Sequence, residues 1–158
     1  MLRKTKADAK KEKWITCLHE SAHVVFAMLS GRKVRWVTIK PKKIMVDCRP
    51  YMSLGRWDID DKRNENTMGI EEKKQHIHTT LAGVIVEDMV TGMKEGGQDM
   101  GIALAYCERW GFDFEEMMKE TTSLIGEHCD EINRLASMLM EHKTLDETQI
   151  KQSLLLTA

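Results

Sequence analysis

The sequence predicts a mainly α-helical domain with a small β-sheet, an α+β fold: one long helix, then short strands, then a C-terminal helical bundle. Three observations carry this. Trp14 to Leu29 holds no Pro or Gly and repeats apolar residues at three- and four-residue spacing, the period of a helix. Between Val34 and Ile59 the pattern changes to β-forming residues, with the chain's only two prolines nearby. From Ile70 onward the helical period returns, broken by glycines.

The first helix is expected from about Ala7 to Leu29, stopped by Ser30-Gly31. Three strand candidates follow: Val34–Lys40, Ile44–Cys48 and Tyr51–Ile59, with Pro41 and Pro50 falling between them. Asp58 to Met68 is polar and reads as loop. A second helix is expected from Ile70 to Val90, with Ile77, Leu81, Val84, Ile85, Asp88 and Met89 on one side and Thr91-Gly92 at its end. Lys94-Glu95-Gly96-Gly97 reads as a short flexible connection. A third helix runs from Gln98-Asp99 to Trp110, closed by Gly111. A helical hairpin from Glu115 to Met140 comes next, then a short helix from Leu145 to Leu155, with Thr144 and Glu147 as a capping box.

At 158 residues and 42% apolar content the chain suffices for one domain. It divides into a basic segment (1–13), a core (14–110) and C-terminal helices (111–158). A balance of 24 basic against 25 acidic residues gives no basis for bulk nucleic-acid binding. The basic start, with Arg3, Lys4, Lys6, Lys10, Lys11 and Lys13, reads as a solvated helix entry. Cys17, Cys48, Cys107 and Cys129 form no CxxC pair, so no cysteine metal site is signalled. No signal peptide or membrane-length apolar run is evident, so the expected location is the cytoplasm, with free thiols. The 12 methionines read as core filler.

The first helix contains His19-Glu20-Ser21-Ala22-His23, an HExxH motif. Residues four apart share a helix face, so the two imidazoles can bind one zinc ion. Glu20 then points toward the open side of the metal and can take a proton from water. Val24-Val25-Phe26-Ala27 follows at once, which marks the helix as buried. Buried histidines and a buried carboxylate require partners, and a metal supplies them. This is the machinery of a metallopeptidase. A catalytic zinc normally has three protein ligands. The residue six positions beyond His23 is Leu29, so the third ligand comes from elsewhere: His76, His78, Glu87, Asp88, Asp99, His128 and Asp130 are candidates. His76 and His78, two apart, do not share a helix face and read as solvent or packing residues. Asp99 follows Gly-Gly at a helix start, and its local sequence alone favours an N-cap.

From about residue 14 to 155 the chain resembles the protease domain of the FtsH family of ATP-dependent zinc metalloproteases. The blocks are His19-Glu20-Ser21-Ala22-His23-Val24-Val25; Val37-Thr38-Ile39-Lys40-Pro41; Leu54-Gly55; Leu81-Ala82-Gly83-Val84-Ile85-Val86-Glu87-Asp88; Gly96-Gly97-Gln98-Asp99-Met100; Trp110-Gly111-Phe112; and Leu135 to Met140 with Thr144-Leu145. The resemblance implies a zincin-like FtsH-type fold and a Zn2+ cofactor. It implies metal ligands His19, His23 and Asp99, with Glu20 as catalytic base. Glu87 would orient a zinc-binding histidine or else be a surface charge. The segment Leu54, Gly55, Arg56 and Trp57 is expected beside the motif helix, taking substrate as an added strand. The sequence contains no GxxxxGK[ST] phosphate loop, so no ATP site is expected in this chain. The expected function is ATP-independent hydrolysis of flexible or unfolded polypeptides, alone, as a homo-oligomer or beside a separate ATPase partner. The alternatives are a binding or regulatory module that captures a partner protein, and a structural zinc domain. Glu20 argues against the last, because a structural site needs no base.

Overall fold

The computed structural model describes residues 6–60, 63–92 and 97–155. Arg3, Lys4 and Thr5 of the basic start and the Lys94-Glu95-Gly96 connection lie outside them. The elements are α1 (Lys6–Leu29), β1 (Lys33–Thr38), β2 (Lys42–Val46), β3 (Arg49–Ser53), β4 (Arg56–Asp60), a single 3-10 turn (Glu65–Thr67), α2 (Ile70–Thr91), α3 (Gln98–Trp110), α4 (Phe114–Glu127), α5 (Cys129–His142), β5 (Thr144–Asp146) and α6 (Glu147–Leu155). The chain is mainly helical with a small three-stranded antiparallel sheet, which makes it α+β. Among the described residues no helix is long and apolar enough to cross a membrane.

Three features differ from the expectation. The candidate strand Tyr51–Ile59 is two strands, parted by a bend at Leu54-Gly55. Its first half, β3, pairs with β2 as a separate hairpin, and Pro50 sits inside β3 opposite Met45. A two-stranded ribbon has an open edge on both strands, so a proline without an N–H is tolerated there. The hairpin turns at Asp47 and Cys48, both at positive φ (48° and 61°), the pattern of a two-residue primed turn. The second difference is β5. Thr144–Asp146 pairs with β1 and completes the order β4-β1-β5. A three-residue strand is too short to show alternation.

The third difference follows from β5. The capping box of α6 is built two residues later than expected. Asp146 Oδ1 accepts from the Gln149 amide while Gln149 Oε1 accepts from the Asp146 amide, both at 2.9 Å. Thr144 instead meets Thr38 across the sheet, hydroxyl to hydroxyl at 2.8 Å. Elsewhere the polar stretch expected as loop from Asp58 is strand as far as Asp60. The helical hairpin is α4 and α5, broken at His128.

The core lies where α1 meets α2 and α5. Val24, Val25, Ile77, Leu81, Leu135 and Leu139 are almost fully buried there, and Val34, Val37 and Leu145 close it from the sheet. The α2 segment from Ile77 to Val86 is buried at every position but Thr80. The helix is therefore central rather than one-sided, and Met89, expected on its buried side, is 58% exposed. This burial fixes α2 against α1, and that contact builds the site.

Candidate metal centre and cleft

His19 and His23 lie one turn apart on the face of α1 that meets α2, and their ring centroids are 4.8 Å apart. The two helices run in opposite directions, so His23 stands opposite Thr79 and His19 opposite Glu87. His23 Nδ1 lies 2.7 Å from the Thr79 carbonyl oxygen. A carbonyl only accepts, so Nδ1 donates and Nε2 presents its lone pair. His19 Nδ1 lies 2.9 Å from Glu87 Oε2, which orients that ring in the same sense.

The two Nε2 atoms therefore turn toward one point. They are 3.1 Å apart. Asp99 Oδ2 joins them, 3.1 Å from His23 Nε2 and 3.5 Å from His19 Nε2. Asp99 occupies the second position of α3. The N-cap favoured by local sequence is not formed by Asp99: Gly97 caps the helix, with no side-chain bond.

These three atoms fit a metal ion. In a tetrahedral zinc site with bonds of about 2.0–2.1 Å, neighbouring ligand atoms are about 3.3 Å apart. The observed triangle of 3.1, 3.1 and 3.5 Å matches that edge. Two imidazole nitrogens and a carboxylate converging on one point need a proton or a metal cation between them. The charges around the site act on one another strongly. Burial opposes a charge on His19, but the carboxylates of Asp99 and Glu87 overcome it and push its pKa up to about 10. Burial would raise the Asp99 pKa, yet the two imidazoles hold it well below the carboxylate range.

Gly83 supplies a third line of argument. A Cβ on this α2 residue would stand 2.5 Å from His23 Nε2 and 2.8 Å from His19 Nε2. Only a bare α-carbon leaves room for both rings. In the sequence Gly83 is one residue of the Leu81–Asp88 block, with no role of its own marked out. The available signal was a glycine inside a helix, which costs about 1 kcal/mol relative to Ala and so calls for a packing reason.

Glu20 is 7% exposed, and burial raises its pKa, with His23 and His19 acting in the opposite direction. A carboxylate that holds a proton more readily is a better base near neutral pH. Gly55 faces it from the bend before β4, and Trp57 stacks on His23 at 5.8 Å. Arg56, between them in sequence, extends to the Trp36 ring and the Lys40 carbonyl. Leu54 is 56% exposed at the bend and precedes the strand. All four residues of the expected substrate segment line one cleft of about 720 Å³, together with His19, Glu20, His23, Glu87 and Asp99.

The other metal-ligand candidates lie elsewhere. His78 points away from the cleft, with Nδ1 2.8 Å from the Thr121 hydroxyl. His76 lines the far end of the cleft, where Arg32 reaches its Nδ1 at 2.6 Å and its ring meets Tyr106 edge-on. His128 borders a second cavity of about 460 Å³ between α1, α2 and α4. Among the described residues His19, His23 and Asp99 form the one group of three or more ligand-type side chains that could hold a metal ion. A scan against models of known families finds no match, and a search of curated proteins finds none.

Proposed function

We propose that this chain is a zinc-dependent metalloendopeptidase of the FtsH protease-domain type, acting on flexible or unfolded polypeptide without ATP. The observation that carries it is the convergence of His19 Nε2, His23 Nε2 and Asp99 Oδ2 beside a buried Glu20, all in the wall of an open cleft. A structural metal site needs neither the cleft nor the base.

When bound, zinc would supply Lewis acidity, making water a nucleophile near neutral pH and polarising the scissile carbonyl. The side chains divide the remaining work. His19, His23 and Asp99 would hold the ion. Thr79 and Glu87 fix the two rings through Nδ1 and keep both Nε2 lone pairs available. Glu20 takes a proton as water adds to the carbonyl carbon, and returns it to the amine nitrogen as the C–N bond breaks. Among the described residues β4 is an outer strand that pairs with β1 alone, so its other edge offers main-chain hydrogen bonds to an extended peptide. Main-chain pairing reads shape rather than sequence. A stably folded domain exposes few extended segments, which favours flexible chains.

The test is Glu20→Gln against the parent. Zinc content should stay at about one ion per chain, while cleavage of an unfolded protein or loose peptide falls by at least 10²-fold, the usual contribution of a general base. The parent should cut an unfolded substrate, spare its folded form and ignore added ATP. Cleavage by Glu20→Gln at the parental rate would refute the assignment of the base. A zinc-loaded parent that binds peptide but never cuts it would point instead to partner capture.

A further inference from the structure

We propose that Gly55 is a positioning residue for the Glu20 carboxylate and that Ser53 locks it in place; this rests on the peptidase reading above. A Cβ on Gly55 would lie 2.5 Å from Glu20 Cγ, 2.6 Å from Oε1 and 2.8 Å from Cδ. The bare backbone before β4 therefore abuts three successive atoms of the side chain. Contact along Cγ, Cδ and Oε1 restricts both the stem rotamer and the plane of the carboxylate. A glutamate side chain has three rotatable bonds, and a base must lie within hydrogen-bond reach of the proton it takes.

The Gly55 peptide is itself anchored. Ser53, 8% exposed, donates its hydroxyl to the Gly55 carbonyl at 2.9 Å. That bond closes the bend between β3 and β4 and engages the Gly55 carbonyl within the chain. A substrate strand then pairs from Arg56 onward, and Gly55 faces the base. This role is separate from metal binding, because Gly55 contacts Glu20 while Gly83 contacts the histidines.

The test uses zinc-loaded parent, Gly55→Ala and Ser53→Ala, each checked for zinc content and thermal unfolding. Two readouts follow: kcat and KM on a flexible peptide, and the affinities of a peptide hydroxamate and a peptide thiol. The hydroxamate binds metal and passes its proton to the base, which stays hydrogen-bonded to it, whereas the thiol binds metal as a thiolate after losing its proton to solvent. Gly55→Ala should lower kcat by about 100-fold with KM within about threefold, the pattern of a misplaced base. Hydroxamate binding should weaken by about tenfold or more, with thiol binding and zinc unchanged. Unchanged kcat and hydroxamate affinity in Gly55→Ala, or equal loss of both inhibitors together with zinc, would overturn the proposal. If Gly55→Ala does not fold, Ser53→Ala decides, since it adds no atom: weakened hydroxamate binding with intact thiol binding supports the role, and two unchanged affinities refute it. Should the parent bind both inhibitors without cleaving peptide, the peptidase reading fails while the inhibitor comparison still reports on Glu20.

Discussion

Gly83→Ala separates the metal site from the fold. In an ordinary helix interior this change stabilises by about 1 kcal/mol, because Ala is the better helix former. At this position the added Cβ would stand 2.5 Å from His23 Nε2, against an ordinary contact distance of 3.4 Å or more. The ring must move by about 0.9 Å, while metal–ligand distances hold to within about 0.2 Å. His23 cannot move freely, because its Nδ1 is tied to the Thr79 carbonyl one turn before Gly83. Loss of a supporting partner alone weakens metal binding by about 10–100-fold. Displacing a ligand nitrogen should reach at least the upper figure, about 2.7 kcal/mol. The metal-free variant should unfold within about 2 kcal/mol of the metal-free parent, because about 1 kcal/mol of helix propensity gained offsets part of an overpacking cost of about 1–3 kcal/mol. The assay is a competitive zinc titration against a chromophoric chelator, paired with urea unfolding in the presence of a strong chelator. A variant that binds zinc within threefold of the parent would refute the cradle argument.

Three further outcomes are expected. Glu87→Ala removes the partner of His19 Nδ1 and should weaken zinc binding by about 10–100-fold, read by the same titration. Ser21→Ala should raise the unfolding midpoint, since the buried Ser21 hydroxyl finds no hydrogen-bond partner among the described residues and its removal relieves a desolvation cost of about 1 kcal/mol. His78 supplies a pH dependence: burial holds its pKa below the usual histidine value, so the unfolded chain binds its proton more readily. Stability is then lost as pH falls through about 6.5, with a slope of at most about 1.4 kcal/mol per pH unit. Urea unfolding at pH 7.5 and 5.5 should show a smaller acid loss in His78→Asn than in the parent.

The helices were legible because each carries its own punctuation. Gly92 and Gly111 end α2 and α3 in the left-handed conformation, where a residue without Cβ is favoured. The strands were less legible for a physical reason. β5 is three residues held in place by Val37, Thr38 and Trp36 more than a hundred positions earlier, and nothing in Thr144-Leu145-Asp146 itself demands extension. β3 and β4 read as one segment because both have β-forming residues, and the packing of Gly55 against Glu20 at the bend is a long-range contact that the local sequence does not show. Met89 shows the converse limit: its helical phase matched the buried face, but α2 emerges from the core beyond Val86.

Asp99 marks where local reasoning ends at the site itself. A carboxylate in the first turn of a helix suits the positive end of the helix dipole whether or not anything lies beyond it, so residues near 99 alone favour a helix-start role. What turns its oxygen toward His23 is the placement of α3 against α2, a tertiary fact. The two glycines give the sharper criterion. HExxH needs only two histidines and a glutamate at fixed spacing, and charged helices produce that by chance. A working cradle also needs bare backbone opposite the imidazoles and opposite the base, from two other elements, and those demands fall on Gly83 and Gly55. Chance motifs have no reason to meet them. A helix with HExxH facing a helix-interior glycine and a strand-entry glycine is therefore a stronger signature of this chemistry than the motif alone.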